Sequence, residues 1–319
     1  MTNYMLEIIE GGIFTTIQDL GRYGYQRYGV PVSGALDQFS LRVANLLVGN
    51  EEGDAVLEMT LIGPRIRFLA DTVIAVTGGD LAPAVDDQPI PCWQSVAVPC
   101  GGILSFNTPR DGMRAYLAVA GGIDVPPVLG SRSTYTQSRL GGIEGRALAP
   151  GDSLQLLPGG PLAMVAGRTL HIRDIPAYGN SHVLRVLLGP QDDAFTEQGI
   201  KTFLSSTYTI TPASDRMGSR LAGPVIEHRA GADIVSDGTP FGAVQVTGEG
   251  LPIVLLADRG TTGGYTKIAT VISVDLVVMA QAQADDTVTF RLVTLEEAHS
   301  VLKEQERVID GLKRGNDIA

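Results

Sequence analysis

The sequence predicts a mainly β fold with short helices, divided between two domains. Glycine (39 residues) and proline (18 residues) are abundant, whereas aromatic residues make up only 6% of the chain. That mixture favours many short strands joined by tight turns. Hydrophobic residues are 44% and charged residues 18%, which fits a globular chain and excludes a disordered one. At roughly 100–200 residues per domain, the chain length predicts about two domains.

The first half of the chain reads as short strands with one early helix. Residues 5–18 predict two strands joined by a glycine turn. Residues 33–50 predict a helix that Asp37 caps, that carries an apolar stripe of helical period, and that ends at Gly49 and Asn50. Short β-rich runs separated by turn residues follow at 55–61, 65–70, 72–78, 95–98, 103–107, 115–121 and 153–157.

The second half repeats this organisation. A short helix is predicted at 194–205 and a helical turn at 275–281, and strands are predicted at 183–189, 208–214, 242–248, 252–258, 267–273 and 287–293. Residues 148–157 parallel 282–292, and residues 115–125 parallel 252–262. These matches indicate a weak internal repeat with a period of about 140 residues.

The repeat predicts two related β-rich domains and a tail. We place the first domain at residues 1–160 and the second at 161–295, with the boundary near 158–167. Residues 296–319 form a charged amphipathic pattern, which predicts a C-terminal helix that fades into a polar end.

Charge and residue usage narrow the classes of function. A net charge of −11 disfavours a nucleic-acid partner, while leaving room for a local basic pocket. No apolar run reaches the roughly 18 residues of a membrane span, and residues 1–12 lack the pattern of a secretion signal. We therefore expect a cytoplasmic protein. The four histidines and two cysteines have no ligand spacing, so no metal site is predicted; Cys92 and Cys100 are expected to be ordinary half-buried thiols in a reducing compartment.

Residues 256–267 (LADRGTTGGYTK) follow an apolar run and are the first candidate site. The Walker A spacing fails here, because Tyr265 and Thr266 stand where Lys and Ser/Thr are needed. A loop at a strand end can still bind a small anion through backbone N–H groups and cations. Gly260, Gly263 and Gly264 would permit positive φ and a close approach of a ligand to the backbone. The candidates are Asp258, Arg259, Thr261, Thr262, Gly263, Gly264, Tyr265 and Lys267; the alternative is a hairpin turn with a surface ion pair.

Residues 210–224 (ITPASDRMGSRLAGP) are the second candidate. Arg216 and Arg220 are close enough in sequence for two guanidinium groups to converge on a carboxylate, with Asp215 beside them. The alternative is a short helix capped by Ser214 or Asp215 with its arginines in water. Gln245, in the predicted strand 242–248, is a further polar candidate near this pocket.

Four stretches together resemble a known family: residues 34–50, 211–224, 236–246 and 252–272. They are similar to the carboxyltransferase subdomain A/B family, also called allophanate hydrolase subunit 2 or KipI antagonist. The resemblance spans about residues 5–295 and implies two cyclophilin-like β-barrel domains. It also implies a KipI-like (allophanate hydrolase subunit 1) partner and, in the 5-oxoprolinase complex, a LamB/YcsF-like protein.

The resemblance further implies an activity. The 5-oxoprolinase complex of this family opens 5-oxo-L-proline to L-glutamate with hydrolysis of ATP, so ATP with Mg²⁺ is the expected cofactor. On this interpretation Arg259, Lys267 and the 261–264 backbone bind an anion. Arg216 and Arg220 hold a carboxylate, and Asp258 and Asp215 orient groups or take protons. The alternatives are a biotin-dependent carboxyltransferase half acting on urea-like acceptors, and a regulatory protein that binds a KipI-like inhibitor.

The sequence departs from the family pattern at four positions. The family usually has glutamine and proline where Gly260 and Thr266 stand, a tyrosine where Ser219 stands, and Pro-Gly where Phe241-Gly242 stands. All four are expected to lie in the candidate pocket, where they would affect the choice of substrate.

Overall fold

The computed structural model describes residues 5–157 and 165–315. Within them the chain forms two compact units. The first comprises residues 5–22, 33–157, 165–178 and 306–315, and the second comprises 23–32 and 179–305. The predicted boundary at residue 160 lies in 158–164, outside the described residues, and stays a prediction.

The first unit is built from two sheets and one buried helix. The seven-stranded sheet has the order β11-β12-β1-β4-β9-β6-β7 and the five-stranded sheet the order β2-β3-β10-β5-β8. The strands are β1 (Met5–Glu10), β2 (Phe14–Gln18), β3 (Val56–Thr60), β4 (Arg65–Phe68), β5 (Thr72–Asp80), β6 (Pro83–Val85), β7 (Gln88–Pro89), β8 (Ser95–Val98), β9 (Ile103–Phe106), β10 (Asp111–Val119), β11 (Ile123–Asp124) and β12 (Ser153–Leu156). Apolar side chains of both sheets meet in one core, for example Leu6 and Ile66 with Leu57 and Leu117.

The early helix forms as predicted. Helix α1 spans Gln38–Leu47, and Asp37 Oδ1 accepts a 2.8 Å hydrogen bond from the Ser40 N–H. This bond satisfies one of the N–H groups that a helix start leaves without a partner. The apolar stripe is buried at Leu41, Val43 and Leu47.

The second unit contains a closed seven-stranded barrel. Its strands are β13 (Ser181–Leu188), β14 (Tyr208–Ile210), β15 (Gly218–Ala222), β17 (Ala243–Val246), β18 (Pro252–Leu255), β20 (Lys267–Val271) and β21 (Thr287–Leu292). They close in the order β13-β20-β17-β18-β15-β14-β21. Only β13 and β21 pair in parallel; the other ladders are antiparallel. Closure leaves no open edge in this sheet.

Helices and a separate ribbon complete the second unit. Helix α2 (Glu197–Ser205) packs Phe203 on Phe290 of the barrel with ring centroids 4.3 Å apart, and α3 (Leu276–Gln281) precedes β21. Strands β16 (Asp233–Gly238) and β19 (Thr262–Tyr265) form a two-stranded ribbon outside the barrel. Helix α4 (Leu295–Arg314) is the predicted C-terminal helix; its residues up to 305 belong to the second unit and the rest to the first.

The predicted fold class is confirmed: the fold is mainly β with helices, and one sheet closes into a barrel. No helix in the described ranges is long and apolar enough to cross a membrane.

The two cysteines are free and have different surroundings. Cys92 is partly buried and its Sγ lies 3.7 Å from Asp80 Oδ1, whereas Cys100 is exposed and thus less buried than predicted. Burial, followed by the negative charge of Asp80, raises the pKa of the Cys92 thiol to about 12.

We expect a thiol-reactive disulfide reagent at pH 8 to modify Cys100 rapidly and Cys92 slowly, since the thiolate is the reactive species. Absorbance of the released thiol should rise in two phases, and Cys100→Ser should remove the fast one. A single fast phase of two thiols in the native protein would contradict this assignment.

Candidate active site

The first candidate stretch folds as a turn followed by a strand. After β18 ends at Leu255, residues 262–265 become β19 and pair with β16, Gly263 opposite Asp237. None of Gly260, Gly263 and Gly264 has positive φ. Pairing with β16 holds residues 262–265 extended, so the positive φ that these glycines would permit is not used here.

The second candidate stretch is a turn and a strand rather than a helix. Asp215 Oδ1 accepts hydrogen bonds from the N–H groups of Met217 (2.7 Å) and Gly218 (3.2 Å), which tightens the turn that leads into β15. Strand β15 pairs with β18, Gly218 opposite Leu255. This pairing places the two candidate stretches side by side, so the capped-helix alternative was wrong.

A buried ion pair joins the two stretches. Arg216 Nε donates to Asp258 Oδ2 at 2.8 Å and Nη2 to Oδ1 at 3.2 Å, with both side chains at most 10% exposed. The Asp258 N–H also donates to the Arg216 carbonyl at 2.9 Å. Such a bidentate pair has a fixed geometry. Arg216 and Asp258 therefore hold the two loops together, and neither lines the clefts described next.

Arg259 is held in place by backbone carbonyls. Its Nε donates to Thr239 O at 2.7 Å and its Nη1 to Leu256 O at 3.1 Å. The guanidinium lies 5.4 Å from the centroid of the Phe241 ring, within range of a cation–π attraction. Burial lowers the pKa of this guanidinium, with smaller opposing effects from Tyr23 and Asp258. The result is a fixed cation at the surface of the barrel.

Two clefts meet at Arg259. The first cleft has a volume of about 370 Å³ and the second about 380 Å³, and Thr239, Arg259 and Gly260 line both. The first cleft is also lined by Asp215, Met217, Gly218, Arg220, Gln245, Thr247, Ile253, Leu255, Thr262 and Tyr265. The second is also lined by Gln26, Pro31, Val32, Gly238, Pro240 and Thr261.

Most of the predicted site residues come together here. Six line the first cleft: Asp215, Arg220, Gln245, Arg259, Thr262 and Tyr265. Thr261 lines the second. The Arg220 guanidinium makes no hydrogen bond or ion pair with any other described residue. The first cleft thus combines two cations with amide and hydroxyl groups.

Lys267 is placed differently from the prediction. It is 1% exposed, lines neither cleft, and its Nζ lies 3.0 Å from Asp237 Oδ2. This bond is the main reason that the pKa of Asp237 is lowered. Lys267 therefore ties β20 to the ribbon, since Asp237 is in β16.

Gly263 and Gly264 line neither cleft, unlike their neighbours Thr262 and Tyr265. A Cβ on Gly263 would lie well inside van der Waals contact of Gln245 Nε2 and 3.1 Å from Thr239 Cγ2. Gln245 itself is 6% exposed and donates to Tyr265 O at 3.3 Å. Gly263 thus lets the ribbon approach Gln245 closely, while Gly264 has no neighbour nearer than 3.7 Å to its Cβ position.

Fewer of the four residues that depart from the family pattern lie at the clefts than expected. Gly260 lines both clefts, and Phe241 contacts Arg259. Thr266 is 1% exposed and its hydroxyl lies 3.0 Å from His228 Nε2, and Ser219 is 5% exposed; neither lines a cleft. The expectation that all four lie in the pocket was wrong for Thr266 and Ser219.

Several cleft residues were missed from the sequence. Thr239 donates its hydroxyl to the Gly260 carbonyl and lines both clefts. The Thr-Pro turn before the 242–248 strand was its only signal. Ile253 and Leu255 face the first cleft because they alternate with the buried Val254 along β18. All three are apolar, so the sequence carries no signal of which ones face the cleft.

Comparison with known proteins identifies the family. Residues 28–292 match the carboxyltransferase domain, subdomain A and B. The chain belongs to this family. Across 308 residues it is 38% identical to a 5-oxoprolinase subunit of Escherichia coli (strain K12), and the match covers 97% of each chain.

Two solved structures share this fold. The Kluyveromyces lactis urea carboxylase superposes with a TM-score of 0.92 at 32% identity, over 100% of this chain and 30% of that one. TTHA0988 superposes with a TM-score of 0.83 at 36% identity, over 91% of this chain and 56% of that one. This chain therefore spans under a third of the urea carboxylase chain and about half of the TTHA0988 chain.

Proposed function

We propose that this chain is a subunit of an ATP-dependent 5-oxoprolinase, which converts 5-oxo-L-proline, ATP and water to L-glutamate, ADP and phosphate. The similarity to the Escherichia coli 5-oxoprolinase subunit over nearly the whole of both chains supports the proposal. The observation that carries it is the first cleft, where Arg220 and Arg259 stand beside the amide of Gln245.

The chemistry of this cleft matches a small cyclic amide with a carboxylate. Arg220 can bind the carboxylate in a planar, bidentate way. Gln245, Thr262 and Tyr265 supply amide and hydroxyl groups for the ring N–H and carbonyl. Ile253 and Leu255 form an apolar wall for the ring methylenes.

Ring opening places negative charge on the amide oxygen, and this charge must be stabilised. ATP, with Mg²⁺, is the second substrate of the proposed reaction, and phosphorylation of the amide oxygen makes the carbonyl carbon a better electrophile. Fixed cations near that oxygen stabilise the charge that develops. In our proposal Arg259 has this role, Asp215 accepts a proton from the attacking water, and Asp258 positions the loops through Arg216.

The proposed activity involves other subunits. A KipI-like chain and a LamB/YcsF-like chain are the proposed partners. The 5-oxoproline carboxylate binds in the first cleft of this chain.

A carboxyltransferase half is the second candidate, supported by the similarity to the urea carboxylase structure. In that case the complex would transfer a carboxyl group from carboxybiotin to a urea-like acceptor. ATP-dependent release of glutamate from 5-oxoproline favours the first candidate. Biotin-dependent carboxylation of urea, with no release of glutamate from 5-oxoproline, favours the second.

We expect Arg220→Gln to raise KM for 5-oxoproline about 10- to 100-fold in the reconstituted complex, since a lost charged hydrogen bond costs about 1.5–3 kcal/mol. Arg259→Lys should lower kcat, because lysine cannot make the two backbone hydrogen bonds that fix the guanidinium. Glutamate release is the measurement. The matched control is Arg291→Gln, an exposed arginine that lines neither cleft. If kcat and KM were unchanged in both variants, the first cleft would not be the 5-oxoproline site.

A further inference from the structure

A third cavity of the second unit lies where helix α4 starts beside the barrel. Its volume is about 210 Å³, its lining comes from β13, β21, the segments that follow β20 and β21, and the first two turns of α4, and it shares no residue with the two clefts. We call it the helix cavity. Pockets for drug-sized ligands measure roughly 300–1,000 Å³, so the helix cavity suits a molecule about the size of an amino acid.

One side of the helix cavity is apolar. Ile272, Val293 and Ala298 are less than a tenth exposed and form one hydrophobic cluster. All three line the cavity, together with the half-buried Val301. An aliphatic group that enters the cavity is removed from water against these side chains, which is favourable.

Two arginines line the polar side, and only one has a partner. Arg185 and Arg291 are directly opposite each other in the parallel ladder of β13 and β21. The Arg185 Nε donates to Asp275 Oδ2 at 3.0 Å and to Oδ1 at 3.2 Å, and the Asp275 carboxylate is the main reason that the pKa of Arg185 is raised. Arg291 is exposed and makes no hydrogen bond or ion pair with any other residue that the structure describes. Arg291 therefore brings a cation whose charge is not compensated.

Glu297 brings a negative charge to the same cavity. Its Oε2 accepts a 2.7 Å hydrogen bond from the Thr294 N–H, and its own N–H donates to Thr294 Oγ1 at 3.1 Å. This reciprocal pair is a capping box, which fixes the Glu297 side chain at the start of the helix. Within the described ranges no salt bridge joins Glu297 to Arg291. Two opposite charges thus line one cavity without contacting each other, which leaves room for a molecule that carries both.

We propose that the helix cavity binds a zwitterionic α-amino acid with a branched aliphatic side chain. The carboxylate of the ligand pairs with Arg291, whose planar guanidinium suits bidentate contact. The ammonium group pairs with Glu297, and the aliphatic chain packs on Ile272, Val293 and Val301. A ligand with only one of the two charges leaves either Arg291 or Glu297 without its partner. This inference goes beyond the proposed function and does not depend on it.

The test titrates the full-length protein with L-leucine by isothermal titration calorimetry. Two probes keep the side chain and lack one charge each: 4-methylpentanoate lacks the ammonium group, and 3-methylbutylamine lacks the carboxylate. Each should bind at least tenfold more weakly than leucine, because it loses a hydrogen bond between charged groups. If either probe bound as tightly as leucine, or if leucine did not bind the native protein, the proposal would be overturned.

Variants of the lining residues locate the site. Glu297→Gln should weaken leucine binding at least tenfold, while its amide oxygen can still accept from the Thr294 N–H and so keep the start of the helix. The matched control is Glu296→Gln, an exposed neighbour that does not line the cavity, and it should bind leucine like the native protein. Arg291→Gln should also weaken binding at least tenfold, and Ala298→Leu should abolish it by filling the cavity. Native affinity in Glu297→Gln and Arg291→Gln would place leucine elsewhere and overturn the proposal.

A second measurement uses the native protein alone. Hydrogen exchange of residues 295–301 should slow at least fivefold when leucine is added, since the ligand contacts the first turns of α4. Unchanged exchange in this segment would contradict the assignment even if leucine bound. Both measurements are made without ATP or 5-oxoproline, so their outcome is independent of glutamate release. A failure of either proposal therefore leaves the other standing.

Discussion

A Gly263→Ala substitution is expected to lower kcat/KM for 5-oxoproline about 100-fold while the barrel stays folded. The new Cβ would clash with Gln245 Nε2 and lie 3.3 Å from Gln245 Cδ. The amide is at the end of a flexible side chain, so it can move away and break its hydrogen bond to Tyr265 O. A displacement of about 1 Å at a positioning group can cost two orders of magnitude in rate.

Gly264→Ala is the matched control for this prediction. The nearest atom to its Cβ position is 3.7 Å away, an ordinary contact, so activity close to native is expected. Both variants have the same composition and lie in the same strand. Steady-state glutamate release gives kcat/KM for each variant, and circular dichroism shows whether each is folded. Equal activity of the two variants would show that Gln245 does not act at the site.

The second large effect concerns stability. Asp258→Asn should lower the free energy of unfolding by about 3–5 kcal/mol, because the buried Arg216 guanidinium loses its bidentate carboxylate. The double variant Arg216→Met with Asp258→Leu should recover most of that loss, since apolar groups often replace a buried pair without cost. Urea unfolding followed by circular dichroism gives the difference.

An exposed pair provides the comparison. Arg67 and Glu7 lie 2.7 Å apart with side chains about 40% exposed, and such pairs contribute about 0–1 kcal/mol. Glu7→Gln should therefore shift the urea midpoint much less than Asp258→Asn. Similar shifts for the two variants would show that the Arg216–Asp258 pair does not join the loops in the way proposed.

Local patterns predicted the elements well. Asp37 marked the start of α1 because a side-chain acceptor there satisfies nearby helix N–H groups, which is a short-range interaction. The apolar run at 252–257 predicted the strand that contains β18 in the same way. These signals depend on neighbours within a few residues, so the sequence contains them directly.

The prediction failed where a local pattern allowed two conformations. Ser214 and Asp215 suit a helix cap as well as a turn, and pairing of β15 with β18 selected the turn. Glycine permits both positive φ and an extended chain, and pairing of β19 with β16 selected the extended form. In both segments a partner strand distant in sequence decided the conformation.

The sequence by itself determined the mainly β composition, the helix at Asp37 and the two stretches that contain Arg220 and Arg259. The tertiary structure alone decided that these two arginines share a cleft, that Arg216 is held by Asp258 42 residues away, and that Lys267 binds Asp237 instead of the cleft. The physical reason is barrel closure. Strand pairing sets which loops become neighbours and which face each side chain takes, and those contacts are long-range.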